Sequence, residues 1–505
     1  MGDIDRQCAK EVRVNLTREI LQQALQEAGR LNLAVIARHQ AVRELAVVVN
    51  NGRTERVMTE ESRGLGVQVF TAEGYSGFAS GDNPSGEMGR ELVGKAAQLA
   101  ELSKRFGGEK NQEVFSAPQS VANPVSPERY SFDHLGIEAL EHLVQGENRY
   151  ILEQFTGVSV QTSYRQLEEE WSIVRTGGSE AFFVMPRAVL AHTLTARSPD
   201  GKCVTTRSAY GGADMGLLLE RRNLEEGRAR TLKMAQLASD LLTAPRAPGG
   251  HFKLVIDYAL AKGLAHEAFG HAVETDSVKT SILGEGGKLK LGLEVADPQV
   301  SIVDGPLPGD WAYQPVSANA IPRQTVRIVD KGRLASGLGD LFSAASAGVP
   351  LSGAGRAESY AHIPLPRMTN IRIETENPIP LAKAWYEISP AELYRVLVDN
   401  GLAEEKEDIY YLAGYKGGQV NTQFGDFVFN CSAVYKLGEN PVLCQPGIFA
   451  GKTLSALKAI TTGIGPMVTD ALGTCGKWGQ GVSSSGGSHA FLVLRADPDI
   501  TLGGE

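Results

Sequence analysis

A short segment in the middle of the chain combines apolar side chains with groups that are costly to bury alone. Residues 263–276, GLAHEAFGHAVETD, contain two of the nine histidines and three carboxylates. The apolar residues recur at the spacing of a buried helix: Leu264, Ala265, Ala268, Phe269, Ala272 and Val273. Burying an imidazole or a carboxylate without a partner costs several kcal/mol, so these side chains need one. A divalent metal ion would satisfy most of them at once.

The start of this segment resembles a zinc-peptidase signature, with one extra residue between the histidines. In that signature two histidines four apart bind zinc, and the glutamate between them is the general base. Here His271 follows His266 by five positions, so on a regular helix, at about 100° per residue, the rings diverge by about 140°. A π-bulge would return both rings to one face, and Gly270 would ease it. The alternative is a buried helix whose histidines are only hydrogen-bonded.

Length, charge and hydropathy narrow the class of protein. A chain of 505 residues predicts two or three domains, and a net charge of −9 offers no basic surface for nucleic acid. Residues 1–8 lack the basic and apolar regions of a signal peptide. No run approaches the roughly 18 apolar residues of a membrane span. We therefore expect a soluble, cytoplasmic protein with no nucleic-acid or membrane partner.

The five cysteines are scattered, without a CxxC pair or the spacing of a disulfide framework. We expect most of them to be reduced packing residues. Cys475 differs because it lies in the glycine-rich segment 473–481, GTCGKWGQG. There the backbone can approach a ligand closely, and the neighbouring Lys477 favours the thiolate.

The order of the predicted elements is that of an α+β protein. Helical spacing at 14–30, 87–105, 134–155 and 219–243 is interrupted by strand patterns at 44–79 and 158–208, without βαβ alternation. A Pro/Gly cluster at 244–250 predicts the domain boundary. We predict an N-terminal domain of helices and antiparallel sheet, residues 1–244, with the substrate cleft and subunit contacts. We predict a β-rich C-terminal domain, residues 245–505, that carries the metal-binding helix.

Two later segments look functional. Residues 353–370 mix glycines, prolines and polar side chains, so they predict a long irregular loop, which often carries function. Residues 414–430 alternate as a β-hairpin whose edge can pair with an extended peptide.

Four separated segments together resemble the metal-binding subunit of the TldD/PmbA (TldD/TldE) peptidase family. They are His266-Glu267-x-x-x-His271 followed by Glu274 and Asp276, the loop from Gly355 to Asn370, the hairpin Gly417-Gly418-Gln419-Val420, and Cys475-Gly476-Lys477-x-Gly479-Gln480. Residues 52–79 are similar to that family as well, so the resemblance spans nearly the whole chain.

The resemblance implies a two-domain metallopeptidase that works as a heterodimer with a metal-less, TldE/PmbA-like sister subunit. It implies that His266, His271 and Cys475 bind the metal and that Glu267 is the base. This chain keeps the motif that the sister subunit lacks, so it resembles the catalytic half, although a homodimer stays open. Thr275, where family members often have glycine, and the tail at 483–489 depart from the family pattern.

The chemistry of these residue types agrees with that set. Zinc with three protein ligands keeps a position open for water and lowers the pKa of that water towards about 7. Glu267 is then the natural proton shuttle between the water and the leaving amine. Two histidines and one cysteine suit one zinc ion per chain best, with iron as the alternative.

Five further residues are candidates for orienting the ligands or the substrate. We expect Glu274 and Asp276 to orient the imidazoles rather than to bind the metal. Arg356, Tyr360 and His362 lie in the irregular loop and are candidate donors to a developing oxyanion. Their alternative role is to tie the loop down by hydrogen bonds.

These observations predict a metallopeptidase that cleaves extended or unfolded peptides together with a related subunit. One alternative is a dedicated hydrolase of natural-product biosynthesis that trims a leader peptide or an amino-acyl conjugate. A second alternative, from a different class, is a non-catalytic peptide-binding scaffold whose helix merely kept its histidines.

Overall fold

The computed structural model describes residues 3–404 and 407–504, with side chains described for 16–404 and 407–503. Cys8 therefore lies outside the described side chains. The strands form two large sheets, one in each half of the chain. The fold is α+β with two domains, as the sequence predicts. The predicted boundary between residues 244 and 245 falls in the connection 241–252 between the two halves and stays a prediction.

The N-terminal half contains a seven-stranded sheet in the order β3-β2-β1-β5-β6-β4, with β7 paired to β6. All its strand pairs are antiparallel except the short pair of β4 with β6. Its elements are α1 (Asp3–Arg30), β1 (Ala34–Asn50), β2 (Arg53–Phe70), β3 (Ser76–Asp82), α2 (Met88–Arg105), α3 (Glu113–Ser116), β4 (Val121–Ala122), α4 (Ile137–Gln154), β5 (Val158–Arg175), β6 (Ser179–Arg197), β7 (Cys203–Gly212), α5 (Gly216–Leu219) and α6 (Arg221–Asp240).

The long strands of this sheet differ from the sequence expectation. The sequence pattern predicts two strands here, at 158–164 and 169–175, yet β5 runs without interruption and pairs with β1 on one side and β6 on the other. The acidic side chains in its middle find partners on neighbouring strands: Glu168 accepts from Arg43 at 3.4 Å, and Glu169 accepts from Arg187. Cross-strand charge pairs therefore allow a polar segment to continue as a strand.

The C-terminal half contains a thirteen-stranded sheet in the order β13-β12-β11-β16-β23-β8-β17-β18-β20-β24, with β19 on β18 and β21 and β22 on β23. The strands of this half are β8 (Lys253–Asp257), β9 (Gly284–Glu285), β10 (Lys288–Leu289), β11 (Val300–Gly305), β12 (Val326–Asp330), β13 (Arg333–Leu334), β14 (Gly355–Arg356), β15 (Leu365–Pro366), β16 (Asn370–Thr375), β17 (Ile409–Asn421), β18 (Asp426–Lys436), β19 (Val442–Cys444), β20 (Gly447–Lys452), β21 (Ile460–Val468), β22 (Gly473–Lys477), β23 (Gln480–Leu494) and β24 (Ile500–Gly504). Of these, β9 pairs with β10 and β14 pairs with β15 in two separate two-stranded sheets. The α-helices are α7 (Tyr258–Gly263), α8 (Ala344–Ala347), α9 (Pro390–Asp399) and α10 (Thr453–Ala459). A π-helical turn (Leu264–Phe269) and 3₁₀ turns at Gly270–Val273, Thr275–Thr280 and Trp385–Glu387 complete this half.

The segment with the two histidines lies against the centre of this sheet. Its apolar side chains, including Leu264, Ala265 and Phe269, belong to a large buried cluster that also contains Ile371 of β16 and Leu492 of β23. Burying a leucine or phenylalanine side chain contributes roughly 1.5–3 kcal/mol, so this packing fixes the segment firmly.

The loop at 353–370 connects the two domains. Tyr360 packs against β2, where a β-carbon at Gly64 would come within 2.0 Å of its ring. The Tyr360 hydroxyl donates to Asp82 Oδ1 at 2.5 Å, and its backbone N–H donates to Gln40 Oε1 at 3.1 Å. Glycine at position 64 therefore makes room for a side chain from the other domain.

We predict that Gly64→Ala lowers the free energy of unfolding by about 1–3 kcal/mol, because the new methyl group overlaps the Tyr360 ring. The control is Gly94→Ala in α2, where no atom lies within 4 Å of the added carbon. Since alanine favours a helix interior over glycine, the control should be neutral or stabilised by up to about 1 kcal/mol. Urea denaturation of both variants measures the difference, and equal stabilities would mean that Tyr360 does not pack on Gly64.

Candidate metal centre

The helix that leads into the site begins at a fixed point at the end of β8. Asp257 Oδ1 accepts the backbone N–H groups of Ala259 and Leu260 at 3.1 and 2.9 Å, which caps the start of α7. Its other oxygen accepts from Gly414 N of β17 at 2.6 Å. Asp257 thereby fixes the helix to the central strands of the sheet.

The five-residue spacing of the histidines is resolved by the π-helical turn Leu264–Phe269, which follows α7 directly. Of the two alternatives that the sequence leaves open, the structure has the π-bulge. The ring centroids of His266 and His271 lie 5.2 Å apart with their planes at 87°. Gly270 has ordinary helical angles, with φ at −59°, but a β-carbon there would lie 2.1 Å from Met368 Sδ. Gly270 therefore serves close packing rather than an unusual backbone conformation.

Cys475 reaches the two histidines from β22, which pairs with the start of β23. Its Sγ lies 3.8 Å from His271 Nε2. His266, His271 and Cys475 each have a potential ligand atom, and these three atoms lie within 4.8 Å of one another. The structure thus brings together the three residues that the sequence predicts as ligands. His266 lies on the π-helical turn, His271 on the 3₁₀ turn that follows it, and Cys475 about 200 residues later.

His266 is the clearest sign that the cluster needs a further partner. Its side chain is fully buried, and neither ring nitrogen has a hydrogen-bond partner among the described residues. Burial, together with the positive charges of Lys262 and His271, lowers the pKa of His266 well below its usual value. A neutral buried imidazole with a free lone pair is costly to leave unpaired and is the form that binds a metal. The residues therefore fit a metal ion.

His271 is oriented by a buried carboxylate. Its Nδ1 lies 3.0 Å from Glu274 Oε2, which leaves Nε2 towards Cys475. Burial lowers the pKa of His271, but Glu274 and Cys475 oppose it and raise the value to about 10. The site thus favours a positive charge at Nε2, and a metal cation there would take the place of the proton.

Glu274 is held in turn by Lys477, which lies on the same hairpin as Cys475. Lys477 Nζ donates to Glu274 Oε2 at 2.8 Å and to Asp276 Oδ1 at 2.7 Å. Burial raises the pKa of Glu274, but His271 and Lys477 lower it below its usual value overall. Glu274 contacts an imidazole as the sequence predicts. Asp276 instead contacts Lys477, so it supports the site one step further out.

Sequence reasoning missed two cationic residues beside the cluster. Arg367 Nε donates to Cys475 Sγ at 3.4 Å, and its Nη2 donates to the Cys475 carbonyl. Burial raises the pKa of Cys475, but His271 and Arg367 lower it overall, which favours the thiolate. Lys262, one turn before His266, is buried with Nζ 3.4 Å from Ser484 Oγ. A charged residue four positions before His266 was the available signal for Lys262. Arg367 lies in the loop 353–370 that the sequence marks as functional, but nothing singled it out among the polar residues of that loop.

Glu267 lies on the open side of the cluster. Its Oε2 is 3.6 Å from His271 Nε2, and 27% of its side chain is exposed, whereas His266 and Cys475 are buried. A carboxylate beside the ligand atoms and open to solvent can exchange protons with a bound substrate.

The three loop residues considered as oxyanion donors already have partners within the protein. Arg356 donates from Nε to Gln314 at 2.7 Å and from Nη1 to the carbonyls of Ser483 and Met368. Tyr360 binds the N-terminal domain as described above, and His362 Nδ1 lies 2.9 Å from Ser359 Oγ. These contacts favour the loop-tying role for all three residues.

A two-domain α+β protein with a buried cluster of two histidines and a cysteine beside a carboxylate has the features of a metallopeptidase. Residues 249–471 match the PmbA/TldA metallopeptidase C-terminal domain, and residues 35–102 match PmbA/TldA metallopeptidase domain 1. The chain belongs to the PmbA/TldD metallopeptidase family, which confirms the resemblance seen in the sequence.

Curated relatives carry names of the same kind. A metalloprotease of Methanothermobacter thermautotrophicus is 28% identical over 458 residues, covering 89% of this chain and 92% of the relative. A metalloprotease TldD homolog of Haemophilus influenzae is 28% identical over 466 residues, covering 88% and 87%. A zinc metalloprotease TldD homolog of Saccharolobus solfataricus is 28% identical over 255 residues, covering 49% and 51%.

Solved structures share the fold. TldE from Thermococcus kodakarensis superimposes with a TM-score of 0.72 at 14% identity, covering 95% of this chain and all of that one. A Thermotoga maritima protein gives a TM-score of 0.72 at 17% identity, covering 96% and 99%. At these identities the likeness establishes the fold alone. Among the described residues, no helix has the length and apolar character needed to span a bilayer.

We predict that Lys477→Met lowers the free energy of unfolding of the metal-free protein by about 3–5 kcal/mol, because it leaves two acidic groups without their buried cation. The control is Lys452→Met, which removes an ion pair with Asp426 whose side chains are about half exposed. That loss should be at most about 1 kcal/mol. Urea unfolding after dialysis against a chelator measures both, and equal small losses would mean that Lys477 does not stabilise the hairpin.

Proposed function

We propose that this chain is a zinc-dependent peptidase that hydrolyses extended or unfolded peptides as the catalytic subunit of a heterodimer. The observation that carries the proposal is the cluster of His266, His271 and Cys475, whose ligand atoms lie within 4.8 Å of one another beside the partly exposed Glu267. The metalloprotease names of the relatives support the reaction class, and the name of one of them supports zinc.

His266, His271 and Cys475 would hold the metal ion. Two imidazoles and one thiolate form a donor set that suits zinc, and the unpartnered nitrogens of His266 provide the free lone pair. Glu274 fixes the ring of His271, and Arg367 fixes the thiolate of Cys475. Bound zinc supplies Lewis acidity and lowers the pKa of a water molecule towards about 7.

Glu267 would carry the proton. Its carboxylate accepts a proton from the attacking water and then passes it to the nitrogen of the leaving amine. The position of Oε2, 3.6 Å from His271 Nε2 and open to solvent on one side, is suitable for both transfers.

The edge of β17 would bind the substrate backbone. From Ile409 to Leu412, β17 pairs with β8, and the Gly414 N–H donates to Asp257 at 2.6 Å. From residue 415 onwards no described strand pairs with that edge. The free edge runs past the metal-binding helix, since Tyr415 packs against Gly263. An extended peptide can pair with such an edge, which selects unfolded segments over folded ones.

The proposed partner is a metal-less subunit of the TldE kind. The fold shared with a TldE structure supports pairing between two related chains, and a homodimer is the alternative. We place the complex in the cytoplasm, where the described cysteines Cys203, Cys431, Cys444 and Cys475, all unpaired here, would stay reduced. Co-expression with such a subunit followed by light scattering distinguishes the two assemblies.

We predict about one zinc ion per chain in the purified protein, and loss of most of it in His271→Ala and in Cys475→Ser. Each change removes one of three ligands from the site. Cys203→Ser is the control, because this exposed cysteine lies outside the cluster. Elemental analysis measures the metal, and an unchanged zinc content in Cys475→Ser would remove that residue from the ligand set.

We predict that Glu267→Gln keeps the metal but lowers kcat by about two orders of magnitude or more, the usual scale for loss of a general base. Hydrolysis of an unfolded peptide, followed by mass spectrometry, measures the rate with the sister subunit present. Glu101→Gln, on the exposed face of α2, is the control. Full activity of Glu267→Gln would contradict the mechanism, and no hydrolysis by the zinc-loaded wild type would contradict the proposed function.

A further inference from the structure

The hairpin that carries Cys475 ends in an unusual turn. Lys477 pairs with Gln480, so the connection between β22 and β23 consists of Trp478 and Gly479 alone. Both have positive φ, at +53° and +78°. Two-residue turns with positive φ at both positions strongly prefer Asn-Gly, and a bulky residue at the first position is strained. Tryptophan at this position therefore costs stability.

The indole of Trp478 is also exposed to an unusual degree. Its relative exposure is 85%, and no ring stacking or cation contact to it is found in the described part of the chain. By contrast, Trp171 and Trp311 are buried. A strained backbone that presents a large apolar side chain to water suggests a ligand for that side chain.

The hairpin is held rigidly beside the candidate site. Lys477 binds Glu274 and Asp276, as described above, on the side of the metal cluster. On the other strand, Gln480 Nε2 donates to the carbonyl of Ile363 at 3.0 Å. Ile363 is itself 42% exposed, so the apolar surface beside the hairpin extends beyond the indole.

The distance from Trp478 to the metal cluster matches the length of a short peptide segment. Trp478 follows Cys475 by three residues, which at the rise of a strand is about 10 Å. An extended substrate advances by the same amount per residue. A peptide that has its scissile bond at the cluster and runs alongside this strand would therefore reach Trp478 with a side chain about three residues from that bond.

We propose that Trp478 determines substrate specificity, by packing against an apolar and preferably aromatic side chain about three residues from the cleaved bond. The proposal rests on the proposed peptidase function. It names the substrate class as peptides with an aromatic residue at that distance. Tryptophan is the residue most suited to such a contact, because it buries a large rigid surface and stacks on aromatic rings.

The test uses the zinc-loaded full chain with its sister subunit and a set of tryptophan-free peptides of twelve residues. Each peptide has phenylalanine at one position, which differs from peptide to peptide, and is compared with the peptide that has alanine at that position. Mass spectrometry locates the cleaved bond. We expect the wild type to prefer phenylalanine about tenfold in kcat/KM at about three residues from that bond. Trp478→Asn, which suits the turn, should lose this preference, keep the rate on alanine peptides and raise the melting temperature. Phe106→Asn, which changes another exposed aromatic residue, should keep the preference.

A binding measurement separates this proposal from the proposed function. In Glu267→Gln, the phenylalanine peptide should shift tryptophan emission to shorter wavelength, and the shift should be absent in the double variant with Trp478→Asn. If no peptide is cleaved but this shift occurs, the peptidase function is wrong and the peptide contact of Trp478 stands. A preference retained by Trp478→Asn overturns the proposal. Equal loss on all peptides together with a smaller complex in light scattering also overturns it, since Trp478 would then be a subunit contact.

Discussion

The π-helical turn at Leu264–Phe269 is the constraint on which the candidate site depends. On a regular helix, two histidines five residues apart would point about 140° away from each other. The wider turn brings their rings to a centroid distance of 5.2 Å. The turn is held at its start by Asp257, which caps the preceding helix, and at its end by Met368, which packs where Gly270 has no side chain. The free energy needed for this irregular backbone is offset by its apolar residues in the core.

Charge balance around the cluster explains why a cation fits there. The acidic and basic groups nearby pair with one another: Glu274 with His271 and Lys477, and Arg367 with Cys475. His266 is the exception among the described residues of the cluster, because both of its buried nitrogens lack a partner. A non-catalytic scaffold that merely kept its histidines would have to tolerate the free-energy cost of these unpaired nitrogens. In a metal-binding peptidase the imidazole of His266 would bind the metal ion, which favours the catalytic interpretation.

The fold class and much of the site can be predicted from the sequence, because both depend on local patterns. The spacing of His266 and His271 raises the π-helical turn as one of two alternatives. The element order predicts the α+β class, and the chain length and the Pro/Gly cluster at 244–250 predict two domains. Cys475 is 204 residues from His271, and only the family resemblance connects them. Arg367 and Lys262 were missed because their contacts arise where a loop, a helix and a hairpin meet in three dimensions. The sequence pattern divides the long strand β5 between residues 164 and 169, since Arg43 and Arg187, the partners of Glu168 and Glu169, lie on other strands.

X-ray absorption spectroscopy at the zinc edge of the purified protein tests the central claim most directly, because it counts the atoms bound to the metal. Coordination by His266, His271 and Cys475 predicts two nitrogen neighbours at about 2.0–2.1 Å and one sulfur neighbour at about 2.3 Å. The sulfur contribution should disappear in Cys475→Ser. A first shell of only oxygen and nitrogen atoms in the wild type, without sulfur, would contradict the assignment of the metal centre.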